Sequence, residues 1–310
     1  MNHWMEKPWL HRYAILLAVC TLFLVAAGAS VTSNQAGLSV PDWPLSYGKV
    51  MPDMKGGVFY EHGHRMIASL VGFLTVIMAI WLWRVEDRRW MRYLGLGAVA
   101  AVIVQGVLGG MTVKYMLPKP VSISHACLAQ LFFSTMVAIA IFTSPSWKRG
   151  PVIVEDSGWP SLRTLSFSVP VLVLVQLALG AGYRHRAFTV MPHVIGAIFV
   201  TGFVITVAVF VLAQFGSHPI LNRTAWALMG ITIVQVVLGI VTYLARLSGA
   251  ESALSGAESA VPSQSTVVLT ILHVATGALT MACAVALAIQ VRRNVRPHAK
   301  LAASGFPAVS

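Results

Sequence analysis

Eight apolar segments, each long enough to cross a lipid bilayer, take up most of this chain. An α-helix needs about 20 apolar residues to span the hydrocarbon core, where helices satisfy their own backbone hydrogen bonds. The 310 residues are 57% hydrophobic and 10% charged, against roughly 25% charged in a soluble domain. The sequence therefore predicts an all-α integral membrane protein with eight transmembrane helices, near residues 13–32, 62–83, 91–112, 122–142, 164–183, 189–213, 224–244 and 266–290.

The net charge of +12 comes mainly from Lys and Arg in the short segments between these helices. Fourteen of the 22 basic residues fall on the side that holds both termini, and eight fall on the other side. Cytoplasmic loops carry the excess of basic residues, so both termini are predicted to be cytoplasmic. Because membrane topology accounts for the charge, the sequence does not indicate a nucleic-acid partner.

Four histidines fall at one depth, each within about the first two turns of an even-numbered helix: His64, His125, His193 and His273. A single histidine in a membrane helix is more often a packed, hydrogen-bonded residue than a ligand. Four at equivalent positions on alternate helices indicate ligands, since polar groups inside a membrane are costly unless they are used. With the predicted topology, all four lie near the outer surface.

An internal repeat divides the chain. Gln105-Gly-Val-Leu-Gly in the third helix matches Gln235-Val-Val-Leu-Gly in the seventh, 130 residues later, and His64 and His193 are 129 residues apart. A third copy of the motif, Gln176-Leu-Ala-Leu-Gly, lies in the fifth helix. Close approach to a flat ligand and plain helix packing explain these glycines about equally well. The repeat predicts two tandem four-helix bundles related by a pseudo-twofold.

This division gives an N-terminal half over residues 1–148, a cytoplasmic linker over 149–163 and a C-terminal half over 164–291. A basic, disordered cytoplasmic tail is predicted for 292–310. A small-residue polar linker, in which Ser-Gly-Ala-Glu-Ser-Ala is written twice between 248 and 260, lengthens the second half.

The first half alone carries an acidic motif, Glu61-His62-Gly63-His64-Arg65, where a polar loop enters the second helix. Glu61 and His64 are three residues apart and share one helical face. A carboxylate beside an imidazole suits a site that combines a metal ligand with a proton-handling group. The loop before this motif is about 23 residues longer than its counterpart, and its Pro, Gly and aromatic residues predict an ordered segment that lids the site.

Four histidines in a bundle can serve a proton relay, a copper site or hemes. A relay usually has more buried acids than Glu61 alone, and copper would favour Cys or closely spaced Met and His. Two bis-histidine hemes, one per half, account for the pairing and for the small residues. Arg65, Arg184 and Arg186 are candidate contacts for the propionates, and interfacial snorkelling explains these arginines equally well.

The segment Gly37-Leu-Ser-Val-Pro-Asp-Trp-Pro-Leu, followed by Glu61-His-Gly-His-Arg and three further helix-mouth histidines, resembles the heme A synthase family over essentially the whole chain. The resemblance implies an enzyme that oxidises the C8 methyl of heme O to a formyl group, giving heme A for terminal oxidases. It implies that His64 and His125 hold the substrate heme, with Glu61 as the catalytic residue beside it. His193 and His273 would then hold a b-type heme as cofactor.

The resemblance also implies a setting: a bacterial plasma or inner membrane, with the heme sites toward its outer side. Heme O is the implied substrate, membrane lipid surrounds the helices, and heme O synthase and an electron-transfer protein are candidate partners; an oligomer is compatible with the sequence. Some family members have cysteine pairs in the outer loops. This chain has none there, which puts a thiol-based redox step in doubt.

Two readings compete with the synthase. A di-heme cytochrome b-like electron carrier explains all four histidines but leaves Glu61 and the long loop without a role. A transporter on a duplicated fold explains the repeat but not the shared depth of the histidines.

Overall fold

In the computed structural model, which describes residues 8–254 and 262–297, long helices form nearly the whole molecule. In chain order the elements are α1 (Pro8–Ser33), α2 (Gly57–Val85), α3 (Arg89–Lys114), α4 (Lys119–Thr143), the short α5 (Pro145–Lys148), β1 (Val154–Asp156), α6 (Leu162–Arg184), α7 (Met191–Phe215), α8 (Pro219–Leu254), α9 (Gln264–Asn294) and β2 (Val295–Pro297).

Eight of the described helices are long and apolar enough to cross a membrane, namely α1–α4 and α6–α9. The predicted count of eight is therefore confirmed, with helix ends that differ by a few residues and by ten at the end of α8. Hydroxyl groups inside the helices bond to the preceding turn, as Thr21 Oγ1 does to the carbonyl of Leu17 at 2.7 Å. Such bonds satisfy polar side chains without water.

Each half of the chain has its own apolar core. One cluster of buried residues comes from α1–α4, and a second comes from α6, α7, α8 and α9. Helix α9 joins the two, because its Ala278 and Ala282 pack into the first cluster while its Ala284 and Leu287 belong to the second. Two cores are compatible with the predicted tandem bundles, whose boundaries stay a prediction.

Two segments predicted to lack structure are ordered in part. Helix α8 continues to Leu254, so the start of the predicted polar linker is helical. Helix α9 ends at Asn294, and 295–297 pair in parallel with β1, so the first six residues of the predicted disordered tail belong to regular structure. The linker residues 255–260 and the tail residues 298–310 lie outside the described part of the chain.

Candidate functional site

The four predicted ligands come together as two pairs at one end of the bundle. The imidazoles of His193 and His273 have ring centroids 6.3 Å apart and planes at 87°. Metal–imidazole bonds are about 2 Å long, so two rings that ligate one metal from opposite sides have centroids roughly 6 Å apart. His64 and His125 are close enough to interact electrostatically. The structure therefore groups the histidines within each half, as the repeat predicts.

Each of these imidazoles lies against a glycine of the preceding long helix. A Cβ added to Gly180 or Gly239 would lie 2.9 Å from Cε1 of His193 or His273. In the first half the corresponding distances are 3.0 Å from Gly28 to His64 and 3.4 Å from Gly109 to His125. The glycines of the repeated motif thus leave room for a histidine ring. Neither explanation drawn from the sequence, close approach to a flat ligand or plain helix packing, included this arrangement.

Several polar atoms at this end are buried and without a hydrogen-bond partner in the described structure. They include Nδ1 of His64, His125 and His273 and Oε1 of Gln105, Gln176 and Gln235. Unpaired polar groups in an apolar interior are costly and indicate a missing ligand or ion. No group of three or more His, Cys, Asp or Glu that could hold a metal ion occurs among the described residues. Paired imidazoles fit a porphyrin, which supplies its other metal ligands itself.

Glu61 lies in the second turn of α2 and is 4% exposed. Its Oε1 accepts a hydrogen bond from Arg65 Nη2 at 2.6 Å, and its Oε2 accepts one from the backbone N–H of Val40 at 2.9 Å. The residue before α2 is Gly56, which makes no side-chain cap. Glu61 is therefore not the N-cap residue of α2, and both of its oxygens are bound elsewhere.

The rest of the acidic motif fastens the long loop that precedes α2. Arg65 Nη1 donates to the carbonyls of Asp42 and Leu45, at 2.8 and 3.0 Å. His62 is buried, and its Nδ1 is 2.8 Å from Ser46 Oγ. Arg65 anchors the loop in this structure, and its predicted propionate contact stays a prediction.

The loop also holds itself together. The carboxylate of Asp42 accepts the backbone N–H groups of Tyr47 at 2.6 Å and Gly48 at 2.8 Å. The hydrogen bonds from the Gly48 N–H and, less strongly, from the Tyr47 N–H hold the pKa of the Asp42 carboxyl below its ordinary value of 3.8. The indole of Trp43 packs against Gly110 of α3, where an added Cβ would lie 2.8 Å from the ring. The prediction of an ordered loop is confirmed.

Two arginines of the second half lie beside its histidine pair. Arg184 is half-buried at the end of α6, and its Nη2 donates to the Ala29 carbonyl and to Ser33 Oγ of α1, both at 2.8 Å. It interacts electrostatically with Arg246 of α8, and both act on His273. The predicted candidate Arg186 is exposed and has a positive φ of 56°.

Sequence reasoning did not single out Arg246 or His185 as site residues. Arg246 is seven residues after Gly239, two turns along the same helical face, a spacing that could have identified it. His185 follows α6 without a periodic signal. Burial, followed by the charges of Arg184 and His125, lowers the pKa of His185 to about 4. His185, at the end of α6, thus lies near enough to His125 of the first histidine pair to be affected by its charge.

Comparison with known proteins gives one family and a set of relatives. Residues 53–189 match the COX15-CtaA family, described as cytochrome oxidase assembly protein. A relative from Symbiobacterium thermophilum, named heme A synthase, is 30% identical over 179 residues, covering 56% of this chain and 58% of the relative. A heme A synthase from Shouchella clausii is 26% identical over 187 residues, or 58% of this chain and 60% of the relative.

A longer alignment joins this chain to a heme A synthase from Beijerinckia indica. The two are 25% identical over 301 residues, covering 73% of this chain and 82% of the relative. The chain spans about 60% of the length of the Symbiobacterium and Shouchella proteins.

Proposed function

We propose that this chain, whose residues 53–189 match the COX15-CtaA family of cytochrome oxidase assembly proteins, is a heme A synthase of that family. In this proposal it oxidises the C8 methyl of heme O to the formyl group of heme A. The names of its relatives support the assignment. The observation that carries it is an asymmetry between two otherwise similar sites: among the residues that the structure describes, only the first histidine pair has a buried carboxylate, Glu61, on the helix of one of its ligands.

The first half is the proposed reaction site. His64 and His125 would hold the substrate heme O, and the bonded loop over residues 39–48 would limit access of water to the methyl group. Each of two successive hydroxylations replaces a C–H of that carbon by C–OH and passes two electrons to an oxidant from outside the chain. Loss of one water from the resulting geminal diol gives the formyl group, and these steps require protons to be moved. Glu61 would serve as the acid/base group there, with its carboxylate oriented by Arg65 and by the N–H of Val40.

The second half is the proposed resident cofactor site. His193 and His273 would hold a b-type heme, which when bound supplies a redox centre for electron transfer. The spacing of the two rings and the glycines beneath them support this use of the pair. Among the described residues, Arg184 and Arg246 lie beside His273 and would pair with propionate carboxylates. Arg186 and Arg65 remain proposed contacts from the sequence.

The electron carrier is the second candidate, and one observation favours it. Both oxygens of Glu61 are engaged by loop and helix partners, so the carboxylate has a structural role even in a protein without porphyrin chemistry. Glu61 and the loop would therefore have a structural role in an electron carrier as well.

Extraction of the pigment from the purified protein tests the proposal. Heme O or heme A beside heme B is expected for the synthase, from a host that makes heme O. Heme B alone, in a host confirmed to contain heme O, would contradict the synthase and favour the carrier.

The proposed setting follows from the topology and the reaction. The protein would lie in a bacterial plasma or inner membrane with both termini cytoplasmic and both heme sites toward the outer side. Its candidate partners are heme O synthase, which makes the substrate, and an electron-transfer protein.

A further inference from the structure

Arg184, in the last turn of α6, is bonded to the last turn of α1 in the other half of the chain. Its Nη2 donates to the carbonyl oxygen of Ala29 and to Oγ of Ser33, each at 2.8 Å. Both acceptor residues are buried, at 5% and 7% exposed. A guanidinium is charged and planar, so its hydrogen bonds are strong and directional. This side chain therefore fastens together two helices whose bonded residues are 151 positions apart.

The end of α1 has no cation of its own. The carbonyl groups and the dipole at the end of a helix favour a positive charge there. The helices α3 and α6, which end on the same side of the bundle as α1, have Lys114 and Arg184 in their last turns. The last turn of α1 contains no basic residue. Arg184 thus supplies, from a neighbouring helix, the charge that α1 itself does not contain.

The fastened turn of α1 reaches the first site in two places. Gly28, next to the bonded carbonyl, faces the ring of His64, and an added Cβ there would lie 3.0 Å from Cε1 of that ring. Beyond Ser33 the chain enters the long loop, where the N–H of Val40, seven residues later, donates to the carboxylate of Glu61. A shift of this turn would therefore move both the surface on which the His64 ring rests and the start of the loop.

The same arginine lies beside the second site. Gly180, one helical turn before Arg184 on the same face of α6, accommodates the ring of His193, with 2.9 Å between an added Cβ and Cε1. Arg184 is also near enough to His273 to act on it electrostatically. Both bonds to α1 use Nη2, so the propionate proposed above would meet another nitrogen of the guanidinium. One side chain thus holds an element of the first site from a position at the second.

We propose that Arg184 is a positioning residue for the first site and acts on His64 through α1, without touching the substrate. It holds the last turn of α1 at the position in which Gly28 accommodates the imidazole. The first site is then completed by a residue from the other half of the chain. This inference rests on the proposed function in one respect, because it takes His64 to be an iron ligand.

Ser33→Ala tests the proposal, since it removes one acceptor and leaves the guanidinium in place. Full-length protein is loaded with hemin in a His273→Ala background, in which the first site reports alone. Electron paramagnetic resonance of the ferric heme is expected to show changed low-spin g values. Loss of hemin to excess apomyoglobin is expected to be about 5-fold faster, the low end of the coupling that is typical between separate sites.

Ser30→Ala is the matched control, the same substitution three residues earlier in α1. Oγ of Ser30 lies 3.2 Å from Nδ2 of Asn34, so this change leaves both bonds of Arg184 in place, and spectrum and rate are expected to stay as in the parent. Ser33→Thr keeps a hydroxyl acceptor and is expected to restore both. Arg184→Met removes both bonds and is expected to change the first-site spectrum in the same direction as Ser33→Ala, and by more.

A comparison of Ser33→Ala with Ser30→Ala in otherwise wild-type protein covers the case in which His273→Ala does not fold. Only the first-site signal is expected to differ between the two variants. Identical first-site spectra and rates would overturn the positioning role, as would an unchanged first site in Arg184→Met. A Ser33→Ala protein that unfolds at a lower temperature with an unchanged spectrum would also overturn it, because the bond would then serve helix packing alone.

The same protein separates this inference from the proposed function. Absence of heme O and heme A from the natural pigment would contradict the synthase alone, because bound hemin reports the position of His64 without any chemistry on the porphyrin. Failure of the first site to bind hemin in every background would overturn both.

Discussion

The carboxylate of Glu61 accepts the backbone N–H of Val40 at 2.9 Å, across 21 residues of chain. Its other oxygen accepts from Arg65, whose guanidinium also holds the Asp42 and Leu45 carbonyls. Glu61, the candidate acid/base group, is thus also one of the residues that hold the loop in place.

Glu61→Gln is expected to keep the bond from Val40, because an amide oxygen can accept it, and to lose the charge. If Glu61 moves protons, formation of heme A falls by about 10²–10⁴, while heme O or a hydroxylated intermediate accumulates and heme content is kept. Chromatography of the extracted pigments measures this.

Ser46→Ala is the control, since it removes the bond between the loop and His62 without touching the carboxylate. A similar loss of heme A in Ser46→Ala would assign the effect to the loop. Near-normal heme A from Glu61→Gln would rule out a catalytic role for Glu61.

Replacement of His193 or His273 by Ala is expected to remove the low-spin b-type signal and to leave heme bound in the first half. The reason is that each pair is formed by helices of one half, His64 and His125 by α2 and α4 and the other two by α7 and α9. Optical and magnetic resonance spectra of purified variants check this. Equal loss of both hemes from either substitution would argue against two separable sites.

Gly180→Ala is expected to displace the His193 ring, because the new Cβ would lie 2.9 Å from Cε1. Overpacking of this kind costs about 1–3 kcal/mol, and heme retention in the second site is expected to fall. Gly230→Ala in α8 is the matched control, since nothing lies within 4 Å of its added Cβ. If Gly180→Ala retained heme as well as Gly230→Ala does, the glycine would not be needed for the histidine ring.

Acid is expected to loosen the loop only at low pH. The lowered pKa of Asp42 means that its contribution is fully present above the ordinary pKa of 3.8 and is lost as pH falls through the lower folded value. A nitroxide at Lys49→Cys would report slow motion from pH 7 down to about 4 and faster motion below. With Asp42→Asn the label is expected to move faster at pH 7 and to lose this acid-dependent step. An acid transition that persists in Asp42→Asn would contradict this assignment.

Reporter fusions after residues 55 and 255 are expected to read as external, and those near 88 and 155 as internal. The expectation follows from eight spanning helices and from the distribution of basic residues. An external signal at 88 would contradict the order of the first three spans.

The sequence alone predicted the membrane class, the eight helices and the four histidines at matching positions. These features are readable because hydropathy accumulates along a segment and because a repeat preserves the spacing of its ligands. The family resemblance, based on the Trp43 loop and the motif that ends at Arg65, agrees with the match of residues 53–189 to the COX15-CtaA family and with relatives named heme A synthase.

Other features depended on contacts between helices. The motif from Gln176 to Gly180 was visible in the sequence, but the His193 ring that it faces was not. Glu61 was placed at a helix mouth, whereas the structure buries it under the loop. The approach of Arg246 and His185 to the histidine pairs was likewise not predicted.

The sequence by itself thus determined which segments enter the membrane and which residues stand at equal depth, since both depend on composition and spacing along one helix. Only the tertiary structure decided which atoms meet across helices. The rotation of each helix about its axis is set by packing against its neighbours, and a lipid-facing helix that is apolar on all sides gives little sign of it. The partners of Glu61 and the pairing of glutamine, glycine and histidine depend on that rotation.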